Sequence, residues 1–359
     1  MALRVHGALG AAMAALGLCL FSIGCDDDKK PPPPVDAGLP DADNGPVVGG
    51  RLGQALASAA QAPAAPPPSA DAGAGPPETG IFEAAAATAA HAPGAPPKIE
   101  VFGEGTEPRA SLSYALPAGG ERKTSIMLST RVLQQALPPI AIELVIKPEK
   151  AKGDDKKKPD DKAAPASSLV VAKVGNARGM QGDLTDDLKK KMKDVVIRYR
   201  ITPSGILTDL AAELPKDPGP ALELISGALV DAISAMIAPV PDKPMGAGGY
   251  WMVTDRTRSS GVDVVRYRVV KVEKTDGKTA TLSIEARQYA ANPGFSLPII
   301  KEQDLSLERY ESQGKGEIEL GTDPFLPARG QIALLAQSLI KGQRMVLQTE
   351  TKAALGSAP

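Results

Sequence analysis

Apolar and polar residues alternate with a period of two over much of the chain after Lys98. In the first such run Ile126 and Leu128 lie on one side, and Ser125 and Ser129 lie on the other. The alternation recurs over residues 140–147, 196–201, 265–269 and 280–286. Because successive side chains of a strand point to opposite faces of a sheet, these runs predict antiparallel strands with one buried face.

Three other segments have the apolar spacing of helices. Residues 183–195 are predicted to form a helix with Asp183 as its N-cap, and residues 328–340 a helix later in the chain. The most apolar segment spans residues 220–237, and its stripe consists of Leu222, Ile225, Leu229, Ile233 and Met236. This helix is predicted to be buried against a sheet. The alternative is that it plugs a concave sheet that otherwise holds lipid.

Together these elements predict an α+β fold, a large curved antiparallel sheet or half-barrel with two or three packed helices. Asp276-Gly277 between two alternating runs predicts a hairpin, and Trp251 opens another strand after a glycine-rich stretch. Trp251 and the five residues of the apolar stripe are the candidate ligand-contacting positions.

A sequence echo connects the two halves of this region. Arg198-Tyr199, Gly205 and Leu214-Pro215 recur 111 or 112 positions later, whereas Thr208-Asp209 recurs 114 positions later as Thr322-Asp323. The later copies are Arg309-Tyr310, Gly316 and Leu326-Pro327. One interpretation is an internal duplication with repeats at residues 98–240 and 241–359. The other is a chance match of common residues, and the sequence leaves both open.

Composition separates this region from the sequence before it. Residues 25–97 are rich in Pro, Ala, Gly and Asp, and such a segment buries too little apolar surface to offset its ordering entropy. They are predicted to be a disordered tether, and residues 98–359 the folded domain. Within the domain, residues 149–166 are rich in Lys, Asp and Pro and are predicted to be a disordered charged loop.

The segment before the tether has the features of a secretory signal. Arg4 precedes an apolar run from about Ala8 to Ile23, shorter than the roughly 20 residues of a spanning helix. Ser22-Ile23-Gly24-Cys25 resembles the lipobox of bacterial lipoproteins, with Ser22 where an aliphatic residue is usual. Residues 1–24 are therefore predicted to be a lipoprotein signal peptide, and Cys25 the lipidated residue. The alternative is an ordinary cleaved signal, or an uncleaved anchor, in which Cys25 is incidental.

Reactive side chains are scarce in the predicted domain. The chain has two Cys, Cys19 and Cys25, and two His, His6 and His91, and all four precede Lys98. Histidine-based nucleophilic catalysis and Cys/His zinc sites therefore lack their side chains there. We expect no catalytic, cofactor-binding or metal-binding residues and a protein that is not an enzyme, although composition leaves carboxylate-only catalysis open. The net charge of -1 gives no reason to expect nucleic acid as a partner.

The sequence that leads into the Trp251 strand carries a family resemblance. Residues 241–251, Pro-Asp-Lys-Pro-Met-Gly-Ala-Gly-Gly-Tyr-Trp, resemble the lead-in of an uncharacterised lipoprotein family of Gram-negative bacteria. That resemblance extends over about residues 98–359 and implies no agreed activity. In architecture alone, many strands with one or two apolar helices look like the half-barrel lipoprotein and lipid carriers of the periplasm.

Two functions are therefore expected. The first is a non-enzymatic envelope lipoprotein, held on the bilayer by the acyl chains of Cys25, that binds an apolar ligand or lipid in its curved sheet. The second is a structural or assembly lipoprotein that docks another envelope protein. Both place the protein in the cell envelope, anchored to the inner or outer membrane, with its domain periplasmic or surface-exposed.

Overall fold

The computed structural model describes residues 77–114, 120–132, 135–149, 167–297, 300–321, 326–342 and 346–357. The predicted signal peptide 1–24, Cys25, the tether as far as residue 76 and loop residues 150–166 lie outside the described residues. The described part is mainly one antiparallel sheet with three helices. The predicted α+β class is thus confirmed at this level.

The helices are α1 (Ala84–Ala90), α2 (Asp186–Met192) and α3 (Pro220–Met236). The strands are β1 (Lys98–Gly103), β2 (Arg122–Val132), β3 (Gln135–Ala136), β4 (Ile140–Glu149), β5 (Ser168–Gly179), β6 (Val196–Ile201), β7 (Leu207–Glu213), β8 (Tyr250–Ser259), β9 (Val262–Thr275), β10 (Ala280–Leu297), β11 (Ile300–Leu320), β12 (Arg329–Ile340) and β13 (Val346–Ser357). Their order across the sheet is β1-β8-β9-β10-β11-β12-β13-β2-β4-β5-β6-β7, with β3 paired to β2. In the described chain β1 and β7 are the two ends of this order, so the sheet is not closed.

The predicted hairpin between β9 and β10 is confirmed. The two strands pair antiparallel, and the chain reverses at Asp276-Gly277. Gly277 has a φ of 84°, a conformation that glycine adopts without a steric penalty. The Asp276 carboxylate accepts hydrogen bonds from the backbone N–H groups of Lys278 and Thr279, which also lowers the pKa of Asp276.

The sheet curves around α3. The helix contacts β8, the second strand in the sheet order, and also β7, the last. Those strands are ten spacings apart, about 48 Å in a flat sheet, whereas a helix of 17 residues is only about 25 Å long. The helix therefore touches both only because the sheet bends round it. The helix predicted over residues 220–237 is confirmed, and the described part contains no helix long and apolar enough to cross a membrane.

Two helix predictions need correction. Residues 328–340 were predicted to be a helix but form strand β12, in which Ile332, Leu334 and Ala336 are buried and alternate with more exposed residues. The period is two, and the high helix propensity of Ala and Leu is overridden by pairing with β11 and β13. Helix α2 begins at Asp186, and its N-cap is Thr185, whose hydroxyl accepts a hydrogen bond from the Leu188 N–H.

The strand order groups the chain into two neighbouring sectors. Strands β8 to β13 follow one another in sequence, and β2 to β7 do the same on the far side of the β13–β2 pair. The proposed repeats differ at one point, because Leu214-Pro215 precedes helix α3 whereas Leu326-Pro327 precedes strand β12. The internal duplication stays a prediction.

The predicted end of the tether at residue 97 also needs correction, because the chain from residue 77 already packs on the sheet. We call residues Thr79–Phe82 the strap. The Phe82 N–H donates to the Ala290 carbonyl at 2.8 Å, the Ala290 N–H donates to Gly80 at 2.9 Å, and the Tyr310 N–H donates to Thr79 at 2.9 Å. Helix α1 follows, and its Ala87 is fully buried. The apolar pair Ile81-Phe82, which interrupts the Pro/Ala-rich composition of the predicted tether, anchors this segment.

Candidate functional site

The six predicted ligand-contacting positions lie together in one apolar core. We call this core the first inner cluster; it lies on the inner face of the sheet, where α3 is. All six side chains are at most 2 % exposed: Leu222, Ile225, Leu229, Ile233, Met236 and Trp251. The Trp251 indole N–H donates to the Pro239 carbonyl at 2.8 Å. Packing of this kind accounts for these residues as structural core, and ligand contact by them stays a prediction.

A row of polar side chains crosses the same face of the sheet. Asp255, Arg266, Gln288 and Ser312 are directly paired on β8, β9, β10 and β11, so their side chains share one face. We call these four residues the polar row. Both Arg266 nitrogens Nε and Nη2 donate to the Asp255 carboxylate, at 2.9 and 2.8 Å. The Ser312 hydroxyl donates to Gln288 at 3.0 Å.

Helix α3 is attached to this polar face at its C-terminal end. Arg268, also on β9, donates from Nη2 to Asp255 at 2.6 Å and from Nη1 to the Ile237 and Ser234 carbonyls at 2.9 and 3.3 Å. The last carbonyls of a helix have no intrahelical donor and attract positive charge. Since α3 has no basic residue in its last turn, the sheet supplies the cation that the helix lacks.

The pKa values of two buried carboxyl groups in this site are shifted in opposite directions. Burial raises the pKa of Asp255, but the charges of Arg266 and Arg268 outweigh burial and lower it to about 2. Asp231 of α3 accepts a hydrogen bond from the Ser260 N–H at 2.8 Å. Burial nevertheless raises the pKa of Asp231 to about 6, against the opposing effects of that bond and of Arg266. The pKa of Asp231 is therefore raised toward neutral pH, whereas that of Asp255 is lowered away from it.

Several buried donors in and beside the polar row have no aligned hydrogen-bond partner. They are the side-chain amide nitrogen of Gln288, Nε of Arg268 and the hydroxyl of Tyr310, which interacts with the Ser312 hydroxyl without an aligned hydrogen bond. All three side chains are at most 2 % exposed. The fourth such atom among the described residues is Nη1 of Arg256, which pairs with Asp263 on the outer face. An unsatisfied buried polar group costs about 1–3 kcal/mol, and native proteins retain few of them. Unpaired donors on three side chains in one region are a reason to look for a ligand there.

A second inner cluster lies on the other side of the polar row. Its members include Val264, Ala290, Leu307 and Ala336, and it is lined further by Tyr310 and Ile340. These residues belong to β9, β10, β11 and β12, and α3 contributes none of its side chains to the cluster. Instead Ile81 of the strap packs against it. The inner face thus has two apolar clusters separated by polar side chains.

The outer face of the sheet has a concavity of a different kind. An open groove of about 510 Å³ crosses β11, β12, β13 and β2, and its lining includes Met127, Ala333, Ala354 and the charged side chains Lys315 and Lys352. Small side chains such as Ala333, Ala353 and Ala354 make up part of its lining, and the groove is open to solvent on one side. No polar atom with an unsatisfied bond faces this groove among those described, so the inner face is the stronger candidate.

Alternation along residues 265–269 predicts the β9 strand but not the role of its arginines. Arg266 and Arg268 alternate with Val265 and Tyr267, so the apolar positions were the expected buried side. In the structure the arginines face inward and are at most 4 % exposed, while Val265 is covered on the outer face by Phe82 and α1. The one available signal was two arginines within a long apolar strand, and alternation alone cannot decide which face is inside.

Comparisons with known proteins do not extend this description. No protein-family model matches the chain, and no curated protein matches its sequence. Among the described residues, no group of three or more His, Cys, Asp or Glu side chains is placed to hold a metal ion. The resemblance to a Gram-negative lipoprotein family stays a prediction that these comparisons leave untested, and the site geometry carries the functional argument.

Proposed function

We propose that the protein is a membrane-anchored envelope lipoprotein that binds an apolar ligand or lipid on the inner face of its sheet and performs no catalysis. One observation carries the ligand: buried nitrogens of Gln288 and Arg268 without hydrogen-bond partners lie between two apolar clusters, and the Tyr310 hydroxyl, with only the Ser312 hydroxyl beside it, lies at the edge of the second cluster. A region built only for stability would pair these donors, because leaving them unpaired is unfavourable. The curved, unclosed sheet is compatible with the half-barrel architecture that the proposal assumes.

The ligand is tested by native mass spectrometry of a Cys25→Ala chain purified without added lipid. We expect a fraction of the protein to carry a co-purified mass that organic solvent extracts and that tandem spectrometry identifies as apolar. The control is the same chain after denaturation, extraction and refolding, which should regain the mass on incubation with the extract. A single apo mass before and after this treatment would contradict the proposal.

The anchor is tested separately by growing cells with a clickable fatty-acid probe. The wild-type chain should incorporate the label and sediment with membranes, whereas Cys25→Ala should lose both properties. Cys19→Ala is the matched control, because Cys19 lies inside the predicted signal and should be dispensable for labelling. Unchanged labelling of Cys25→Ala would refute the lipidation of Cys25.

Docking of another envelope protein is a second candidate, favoured by one end of the sheet. Strand β1 ends the sheet order, and its Phe102 is 55 % exposed and stacks on Tyr250 at 5.9 Å between ring centroids. An edge strand with an exposed aromatic side chain can pair with a partner strand. In-cell crosslinking from a photoreactive residue at position 102 should then trap one dominant protein. Diffuse or absent crosslinks would count against docking.

A further inference from the structure

The strap occupies a break in the pairing of β10 with β11. The two strands are paired up to Gln288 with Ser312 and again from Gly294 with Ser306, but residues 289–293 and 307–311 are not paired with each other. The strap fills this break, because Ala290 of β10 both donates a backbone hydrogen bond to it and accepts one from it, and the Tyr310 N–H of β11 donates to it. A peptide of four residues thus completes the wall of the sheet.

Side chains of the strap point to both faces of the wall, as expected of a strand. Ile81 packs against the second inner cluster, whereas Phe82 belongs to an outer cluster with Ala87, Val265 and Ala291. The Phe82 ring also makes an edge contact with Tyr289 at 5.8 Å between centroids. Removing the strap would therefore open the second inner cluster at the position that Ile81 occupies.

One glycine fixes how closely the strap approaches β11. Gly80 has a φ of 73°, and a Cβ built on it would lie 1.6 Å from the Tyr310 carbonyl oxygen. Gly94 has nearly the same φ, 74°, yet a Cβ there would meet no atom within 4 Å. Alanine at position 80 would therefore push the strap off β11, and alanine at position 94 would impose only the backbone penalty. The chain itself offers a matched pair of variants.

The unpaired donors lie immediately beside this break. Gln288 is the last β10 residue paired before it, and Tyr310 is in it. The Gln288 amide nitrogen has no hydrogen-bond partner, and the Tyr310 hydroxyl has only the Ser312 hydroxyl beside it without an aligned hydrogen bond. The next residues inward belong to the second inner cluster. The polar end and the apolar end of one elongated site therefore meet at the strap. An acyl chain with oxygen acceptors at its head has this same polarity.

We infer that the break between β10 and β11 is the access route to a binding site for an acyl chain. The carboxyl or ester oxygens of the head accept hydrogen bonds from Gln288 and Tyr310, and the chain takes the place of Ile81 in the second inner cluster. The strap closes the route when the site is empty and yields to the ligand. This inference rests on the proposed ligand-binding function and names its ligand class and its route.

A disulfide lock tests the route. Ile81 and Ala290 are bridge partners whose side chains both reach the second inner cluster, and paired positions have the Cα separation that a disulfide requires. In Ile81→Cys/Ala290→Cys, oxidation should hold the strap in place, and reduction should release it in the same sample. The single variant Ile81→Cys controls for the changed side chain.

The probe is palmitic acid with a diazirine in its chain, added to the full-length protein in phosphatidylcholine vesicles. After photolysis, labelled peptides are mapped. We expect label on β10, β11 and the strap, an approximately three- to ten-fold loss in the oxidised lock and recovery on reduction. Gln288→Leu should reduce labelling by a similar factor, because it removes a donor without removing bulk. Gly80→Ala should increase labelling, and Gly94→Ala should leave it unchanged.

The methyl ester of the probe identifies the source of the head group. Equal labelling by acid and ester indicates ester oxygens, as in a glycerolipid, and labelling by the acid alone indicates a free fatty acid; both results support the inference. Labelling that is equal in the oxidised lock and in the wild type overturns the access route but leaves the proposed ligand binding intact. A wild-type protein that takes up no probe overturns both.

Discussion

The two inner clusters lie on one face of one sheet but are closed in different ways. The first inner cluster is covered by α3, a helix of 17 residues that the sheet surrounds and that Arg268 holds by its C-terminal carbonyls. The second is closed by Ile81 and a few backbone hydrogen bonds of the strap. A cover of 17 residues releases much more free energy on packing than a cover of four. We therefore expect the first cluster to supply stability and the second to supply function.

The largest expected effect tests the attachment of α3. Arg268→Met removes the cation from the Ile237 and Ser234 carbonyls and leaves Asp255 with one guanidinium. Breaking a buried ion pair by removing one partner costs about 3–5 kcal/mol, and urea unfolding should show a loss of this size. Arg256→Met is the control, because Arg256 pairs with Asp263 on the outer face at a partly exposed site, worth about 1 kcal/mol. Equal losses of unfolding free energy in the two variants would show that Arg268 contributes no more to stability than Arg256 does.

The next effect is a pH dependence of the folding stability, caused by Asp231 of α3. The folded-state pKa of Asp231 is raised to about 6, so the native state holds the proton more tightly than the unfolded chain. The stability contributed by the protonated group is fully present below about pH 4 and is lost as the pH rises through about 6, a difference of about 3 kcal/mol. Arg266 and Tyr310 are the groups that interact with this charge.

Asp231→Asn isolates this dependence, because an amide still accepts the Ser260 N–H but does not titrate. We expect the variant to gain stability relative to the wild type between pH 4 and pH 7, measured as the difference of two urea titrations. Asp255 titrates below this window, since its pKa is lowered to about 2. A constant difference across the window would show that Asp231 does not titrate as described.

A smaller effect compares the clusters directly. Ile233→Val and Ile340→Val each remove one buried methylene group, in the first and the second cluster respectively, and each should cost about 0.5–1.5 kcal/mol. Only Ile340→Val should accelerate amide hydrogen exchange at Phe82, because Ile81 packs against the second cluster alone. Faster exchange at Phe82 in both variants would mean that the clusters form one cooperative unit.

The smallest effect is expected at the edge strand. Phe102→Ser changes an exposed side chain of β1 and should alter stability by less than about 0.5 kcal/mol. It should leave acyl-probe labelling unchanged, because β1 is three strands away from β10 in the sheet order. Reduced labelling in this variant would indicate that the ligand binds at the sheet edge rather than on the inner face.

Sequence patterns predicted the elements better than their arrangement. The apolar stripe of residues 220–237 identified α3 because a helix buried on most sides leaves an apolar signature that neither of the other two described helices has. The apolar pattern did not identify β12, since Ala, Leu and Ile occur there in an order compatible with both the helical and the strand period. Its long-range pairing with β11 and β13 decided the outcome.

The candidate site could not be predicted because its parts are far apart in sequence. On the outer side of the strand that carries Arg266, Val265 is buried by Phe82 and by Ala87 of α1, which come from the low-complexity segment. The strap contributes one apolar pair within a Pro/Ala-rich tract, and nothing in that tract marks it as part of a sheet. Both features depend on contacts between residues about 180–230 positions apart, which local patterns do not encode.

The position of β13 has a consequence for how the protein is made. This strand follows every other described strand in the chain, yet it is seventh of twelve in the sheet order and joins the two sectors through β12 and β2. During synthesis the β2 and β12 edges therefore stay unpaired until this last described strand emerges, and open edges recruit other chains. We expect the nascent protein to depend on holdase chaperones, and deletion of residues 346–357 to yield aggregates rather than a smaller folded domain.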